Sequence, residues 1–204
     1  MTRIDRLAGS SAQAGVDAFI LSRQSNIFYY TGSISGGILI LAQGAEPLLL
    51  APQVNFAIAQ AQASGCRVES YTRESLTAMI GDALDEAEPK VVGYDALSLE
   101  LYDKLRERLG GVELKASADL VWNMRRVKDP DEQRLMRRAG GLADVGVEAV
   151  RESLKAGMRE HEVAAEVAFA MMRNSAEGLA FSTIVASGPR SAYPHAGVTE
   201  RKIR

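Results

Sequence analysis

The sequence predicts an α/β fold: a mixed six-stranded sheet flanked by helices, followed by a second, α+β domain. Three observations predict it. From residue 53 onward, short apolar runs alternate with segments of helical periodicity, the pattern of a sheet with helices on its faces. Two apolar runs, Gly36–Ala42 and Pro47–Ala51, are separated only by Gln43-Gly44-Ala45-Glu46. That spacing is a hairpin signal and makes the sheet mixed rather than purely parallel. Finally, a charged run from Arg125 to Arg134 breaks the pattern and precedes a long amphipathic segment. It sets a boundary near residues 124–128, with one domain over 1–125 and a second over 126–204.

The elements follow in order. Residues 3–14 form a helix, with Ile4, Leu7 and Ala8 on one face and Gly15 as the stop. Asp17–Leu21 is a short strand, and Ser25–Thr31 is one helical turn carrying Phe28, Tyr29 and Tyr30. After the hairpin, Gln53–Ala63 is an Ala-rich helix and Cys66–Tyr71 a strand. Ser75–Glu86 is a helix, Lys90–Tyr94 a strand, Ser98–Leu109 a helix and Val112–Lys115 the sixth strand. In the second domain Asp129-Pro130-Asp131-Glu132 is a helix start, with Asp129 as cap, Pro130 at the first helical position and Glu132 closing a capping box. The helix runs to about Leu154, with Leu135, Leu142, Val145, Ala149 and Val150 expected to face inward. Glu160–Arg173 is a further helix, Phe181–Ala186 a strand, and 187–204 a loop-rich stretch.

Composition narrows the function. Lys and Arg total 24 against 26 Asp and Glu, so no basic excess marks a nucleic-acid binder. Cys66 is the only cysteine, which excludes an intrachain disulfide and a Cys-based zinc site. No run approaches the roughly 18 apolar residues of a membrane span, and Met1–Leu7 lacks the features of a secretory signal. A cytoplasmic protein without membrane partners is expected.

Several candidate sites reduce to structural readings. Gly32, Gly36 and Gly37 are followed by Ile38-Leu39 rather than the Lys-Ser/Thr of a phosphate loop, so they read as a turn entering a strand. His161-Glu162 opens a zinc-protease-like pattern, but Ala165 stands where the second histidine is needed. His161 and Glu162 then lie on a solvated first turn, where Glu160 and Glu162 also suit the helix dipole. Arg125, Arg126, Lys128, Arg134, Arg137 and Arg138 interleave with acids and read as a solvated linker and helix face. Ser182, Ser187 and Ser191 lie near His195 in sequence but lack the elbow of a serine nucleophile. His195 itself follows Gly188-Pro189-Arg190-Ser191-Ala192-Tyr193-Pro194, a segment that is neither helix nor central strand, and loops on a rigid scaffold often carry function.

Three segments then point to one family. Phe181-Ser182-Thr183-Ile184-Val185-Ala186-Ser187-Gly188-Pro189, with Pro194-His195, resembles the start of the catalytic domain of Xaa-Pro peptidases, the prolidase and aminopeptidase P relatives with the pita-bread fold. Arg126-Val127-Lys128-Asp129-Pro130-Asp131-Glu132 is similar to the junction before that domain. Asn26-Ile27-Phe28-Tyr29-Tyr30-Thr31-Gly32 is similar to their creatinase-type N-terminal domain. The resemblance implies a metal-dependent hydrolase that cleaves the bond preceding proline in a dipeptide or peptide, usually as a homodimer. It implies two divalent metals, Mn²⁺ or Co²⁺, held by two Asp, one His and two Glu that all follow the loop histidine. It assigns His195 a catalytic and substrate-binding role, as a hydrogen-bonding group near the scissile bond and not a metal ligand. The sequence stops at Arg204, ahead of those ligands. The chain is therefore expected to be a truncated member, with an incomplete pita-bread domain, no cofactor of its own, no activity by itself, and uncovered apolar faces after Asp129. The alternative is a non-catalytic protein- or peptide-interaction module derived from the same fold.

Overall fold

Nearly every side chain of β1 (Ala18–Leu21), β2 (Ile38–Ala42) and β3 (Leu48–Pro52) is apolar, as strands buried on both faces require. The computed structural model describes residues 2–204. It adds β4 (Arg67–Tyr71), β5 (Val91–Tyr94) and β6 (Glu113–Ala116) to give a six-stranded sheet of order β4-β3-β2-β1-β5-β6. The pairs β1–β2 and β2–β3 are antiparallel, and β3–β4, β1–β5 and β5–β6 are parallel. The expected hairpin thus sits at the middle of a mixed sheet.

The two-residue period of a strand divides the apolar side chains between two cores. Phe19, Leu21, Leu39, Leu41, Leu49 and Ala51 point to one face. There they meet α1 (Arg3–Gln13), α2 (Gln24–Thr31), α3 (Phe56–Gln62) and α6 (Ala118–Arg126) through Leu7, Ile27, Ala59 and Val121. Ala18, Ile20, Ile38, Ile40, Leu48 and Leu50 point to the other face, toward Ile80 and Leu84 of α4 (Leu76–Asp85) and Leu105 of α5 (Leu99–Arg108). Each fully buried Leu or Phe contributes about 1.5–3 kcal/mol, so this three-layer body is stabilised from both faces.

Local departures from expectation have physical causes. The aromatic segment makes two helical turns rather than one, closed by Gly32 in the left-handed conformation at φ 78°. The Ala-rich segment starts as a 3₁₀ turn, Gln53–Asn55, before α3. The helix α6 was not expected: its charged end reads as a linker, yet Val121 is buried in the first core. Gly37 cannot be replaced by a larger residue, because a Cβ there would lie 2.1 Å from the Leu50 carbonyl oxygen at φ +113°.

The chain forms two compact units, Met1–Val127 and Lys128–Arg204. In the second, α7 (Pro130–Ser153) begins with the expected capping box: Asp129 accepts from the Glu132 N–H at 2.8 Å and Glu132 from the Asp129 N–H at 3.0 Å. Its C-terminal half packs on α8 (Glu160–Arg173), and buried Gly146 lets Val167 and Met171 approach closely. Two expectations fail here. Leu135 is not buried but 59% exposed, although it lines the same open groove as Leu142 and Val150. Phe181–Ala186 is irregular rather than a strand, since no described segment pairs with it; the only bridge in this unit joins Arg159 and Lys202. Met136, Val147, Phe169 and Phe181 are also exposed. No helix among the described residues is long and apolar enough to cross a membrane.

Candidate functional site

Glu160, the first residue of α8, is fully buried, which corrects the expected solvated turn. A carboxylate out of water needs donors for its lone pairs, and the loop 187–199 supplies them. Oε1 accepts from the Ser187 N–H and the Ser187 hydroxyl, both at 2.9 Å. Oε2 accepts from the Thr199 hydroxyl at 2.6 Å and pairs with the Arg190 guanidinium. The Thr199 hydroxyl, opposed by burial and aided by Ser187 and Arg190, pulls the Glu160 carboxyl down to about 2. The signal was absent from the local sequence, because the donors lie 27 to 39 residues away.

Arg190 sits in a 3₁₀ turn, Gly188–Ala192, and also donates to the Gly197 carbonyl at 2.7 Å and to Thr199 Oγ1 at 3.2 Å. The backbone adds Tyr193 N–H to Arg190 O at 3.0 Å and Ala196 N–H to Tyr193 O at 3.3 Å, with Ala196 buried. Beyond the loop, Glu160 N–H donates to Arg201 O at 3.1 Å, and Gly157 and Met158 exchange bonds with Ile203 at 2.8 Å. His195 lies in the turn at residues 194–195 of this braced loop. Its side chain is exposed and has no hydrogen bond or ion pair with another described residue. It therefore satisfies no loop backbone group.

The other candidates are placed as follows. His161 is half-exposed and lies 3.1 Å from Glu200, an ion pair when the imidazole is protonated. Ser187 is committed to Glu160, and Ser191 donates to the Gly188 carbonyl at 2.8 Å, so neither is poised against His195. Arg125 is not solvated: it bonds Ser25 and Asn26 and lies 5.5 Å from the Tyr29 ring centroid. Arg134 does lie on an open face, paired with Asp131 at 2.8 Å. Burial pushes the Cys66 thiol up to about 11, which leaves it protonated and unreactive at neutral pH. Among the described residues no three His, Cys, Asp or Glu side chains converge as a metal ligand set, so the residues present do not fit a two-metal centre.

Asn26-Ile27-Phe28-Tyr29-Tyr30 serves as an anchor in the first unit. Asp95, buried at the end of β5, accepts from the Ser22 N–H at 2.8 Å, the Arg23 N–H at 3.3 Å and Asn26 Nδ2 at 2.6 Å. This network ties the start of α2, which has no side-chain cap of its own, to the end of β5.

Together these features define a class: an α/β domain preceding a helix pair whose buried carboxylate braces a histidine-bearing loop. Comparison with known proteins places it. Residues 3–127 match the creatinase/prolidase N-terminal domain and residues 134–204 match metallopeptidase family M24. The chain belongs to the creatinase/prolidase family of M24 metallopeptidases. It is 28% identical over 203 residues to the Xaa-Pro dipeptidase of Pyrococcus furiosus, covering 98% of this chain and 57% of that protein. It is 29% identical over 196 residues to the Xaa-Pro dipeptidase of Pyrococcus horikoshii, covering 92% and 52%. The crystal structure of the prolidase from Pyrococcus horikoshii OT3 superposes with a TM-score of 0.87 at 28% identity, over 98% of this chain and 56% of that one. The chain spans about half the length of the curated relatives it matches.

Proposed function

We propose that residues 1–204 are the N-terminal domain and the opening of the catalytic domain of an Xaa-Pro dipeptidase- or aminopeptidase-like metallopeptidase, divided at the α6–α7 junction. The family supports hydrolysis of the peptide bond preceding proline by the whole protein, with two divalent metals, Mn²⁺ or Co²⁺, held outside these residues. The observation within this chain that carries the reading is His195. It is exposed, without a polar partner among the described residues, and mounted on a loop braced from both sides. A histidine so placed can donate a hydrogen bond to a substrate carbonyl as negative charge builds on it, while the brace limits the reorganisation needed. The protein as a whole acts on proline-containing dipeptides or peptides in the cytoplasm and assembles as a homodimer.

The test is hydrolysis of Xaa-Pro dipeptides by a chain continued through the rest of the M24 domain, with and without His195→Ala. Loss of one such donor is expected to lower kcat by about 10²–10³-fold, whereas a drop under about threefold, with folding and metal content intact, rejects the catalytic role.

One observation favours a second reading, the interaction module. Leu135, Leu142, Val150, Val167, Met171 and Ile184 line an open apolar groove of about 620 Å³ in the second unit. A continued chain that binds proline-containing peptides but turns none over would favour it.

A further inference from the structure

We infer that Glu160 is a positioning residue: through Ser187, Arg190 and Thr199 it fixes the loop that sets where the His195 side chain stands. The inference deepens the reading of His195 given above and rests on it for its catalytic meaning, but the clamp itself is a property of this chain.

The argument begins with lone pairs. A carboxylate offers about four acceptor sites, and four donors occupy them here: the Ser187 N–H, the Ser187 hydroxyl, the Thr199 hydroxyl and the Arg190 guanidinium. Those donors reach the carboxylate from both sides of His195. Ser187 and Arg190 precede it; Thr199 follows it, and Arg190 reaches across to the Gly197 carbonyl as well. The loop has little else to hold it. Its regular structure is one 3₁₀ turn, and of its residues only Ala196 is buried. The stem is tied independently, by the bonds of Gly157 and Met158 to Ile203. Loss of the carboxylate therefore frees the loop without freeing its base.

Charge and shape both matter. An amide at position 160 keeps the size of the side chain but exchanges one acceptor oxygen for an NH₂ that only donates. That group would face either Arg190 and Thr199 or the two Ser187 donors, and either pair would lose its acceptor. The guanidinium of Arg190 would also lose its counter-charge in a largely desolvated place.

The test uses the 204-residue chain as wild type, Glu160→Gln and Thr199→Val. Two quantities are read: amide hydrogen exchange across residues 187–201, and the imidazole NMR signal of His195, one of only two histidines. In Glu160→Gln, loop exchange should rise by about tenfold or more, with α7 and the first core unchanged, and the His195 signal should move or broaden. Thr199→Val removes one donor at an exposed position and should produce a smaller change in the same direction. It decides the question if Glu160→Gln unravels α8. Wild-type exchange in both variants overturns the inference, as does a loosened loop with an unmoved His195 signal. A loosened loop and a moved signal, alongside full Xaa-Pro hydrolysis by His195→Ala, would uphold the clamp and remove only the catalytic reading.

Discussion

Asp95 in the first unit and Glu160 in the second are both buried carboxylates, and each gathers donors from distant segments. Their settings differ. Asp95 lies at the end of a strand in a sheet covered on both faces, and its donors, Ser22, Arg23 and Asn26, fasten one element of that body to another. Glu160 stands at the start of a helix whose unit leaves Leu135, Met136, Val147 and Phe169 exposed, and its donors come from a loop. The contrast shows the same physical device serving two purposes. Where the core is closed, the carboxylate joins one structural element to another. Where the core is open, it shapes a surface segment and leaves His195 free.

The largest effect that could break this comparison lies in the closed unit. Phe19 is fully buried on β1, and Phe19→Ala is expected to cost about 3–5 kcal/mol, through lost burial and the cavity left behind. Chemical denaturation would measure it. A cost under about 1 kcal/mol would mean that the core of the first unit is not packed as described.

An intermediate effect concerns acid. The Glu160 carboxyl lies at about 2 in the folded chain against an ordinary 4.5. Its bonds therefore stabilise the loop fully above the ordinary value, and that contribution fades as pH falls from there through about 2. The Ser187 and Thr199 amide resonances should hold steady from pH 7 to about 4 and report opening of the loop with a midpoint near 2. A midpoint close to 4.5 would show that the clamp does not favour the charged carboxylate.

The smallest effect belongs to the open face. Leu135→Ser removes an exposed side chain, so stability should change by no more than about 0.5 kcal/mol. The same variant should weaken the proposed homodimer if the exposed apolar face contributes to it, measured by sedimentation at micromolar concentration. A large loss of stability would instead place Leu135 in a core of its own unit.

What the sequence determined by itself is local and periodic. Continuous apolar runs in β1 to β3 specify strands buried on two faces; Gln43-Gly44-Ala45-Glu46 specifies the hairpin; Asp129-Pro130-Asp131-Glu132 specifies a helix start. These signals involve residues within a few positions of one another, where propensity, capping and strand period act directly. The resemblance of Asn26–Gly32 and Phe181–His195 to one family was legible for the same reason, as short ordered motifs. Only the tertiary structure decided what long-range partners make of ambiguous segments. The run of charges ending in Arg125 and Arg126 became α6 because Val121 reaches a core built by α1 and the sheet. Phe181–Ala186 has the apolar content of a strand but pairs with no described segment, and a strand needs a neighbour for its backbone groups. Glu160 looked like an ordinary acid in a first helical turn, and three residues 27 to 39 positions away made it the buried centre of the loop. Hydrogen bonds to a desolvated carboxylate are strong but depend on donors that the chain brings together only by folding, so no local pattern announces them.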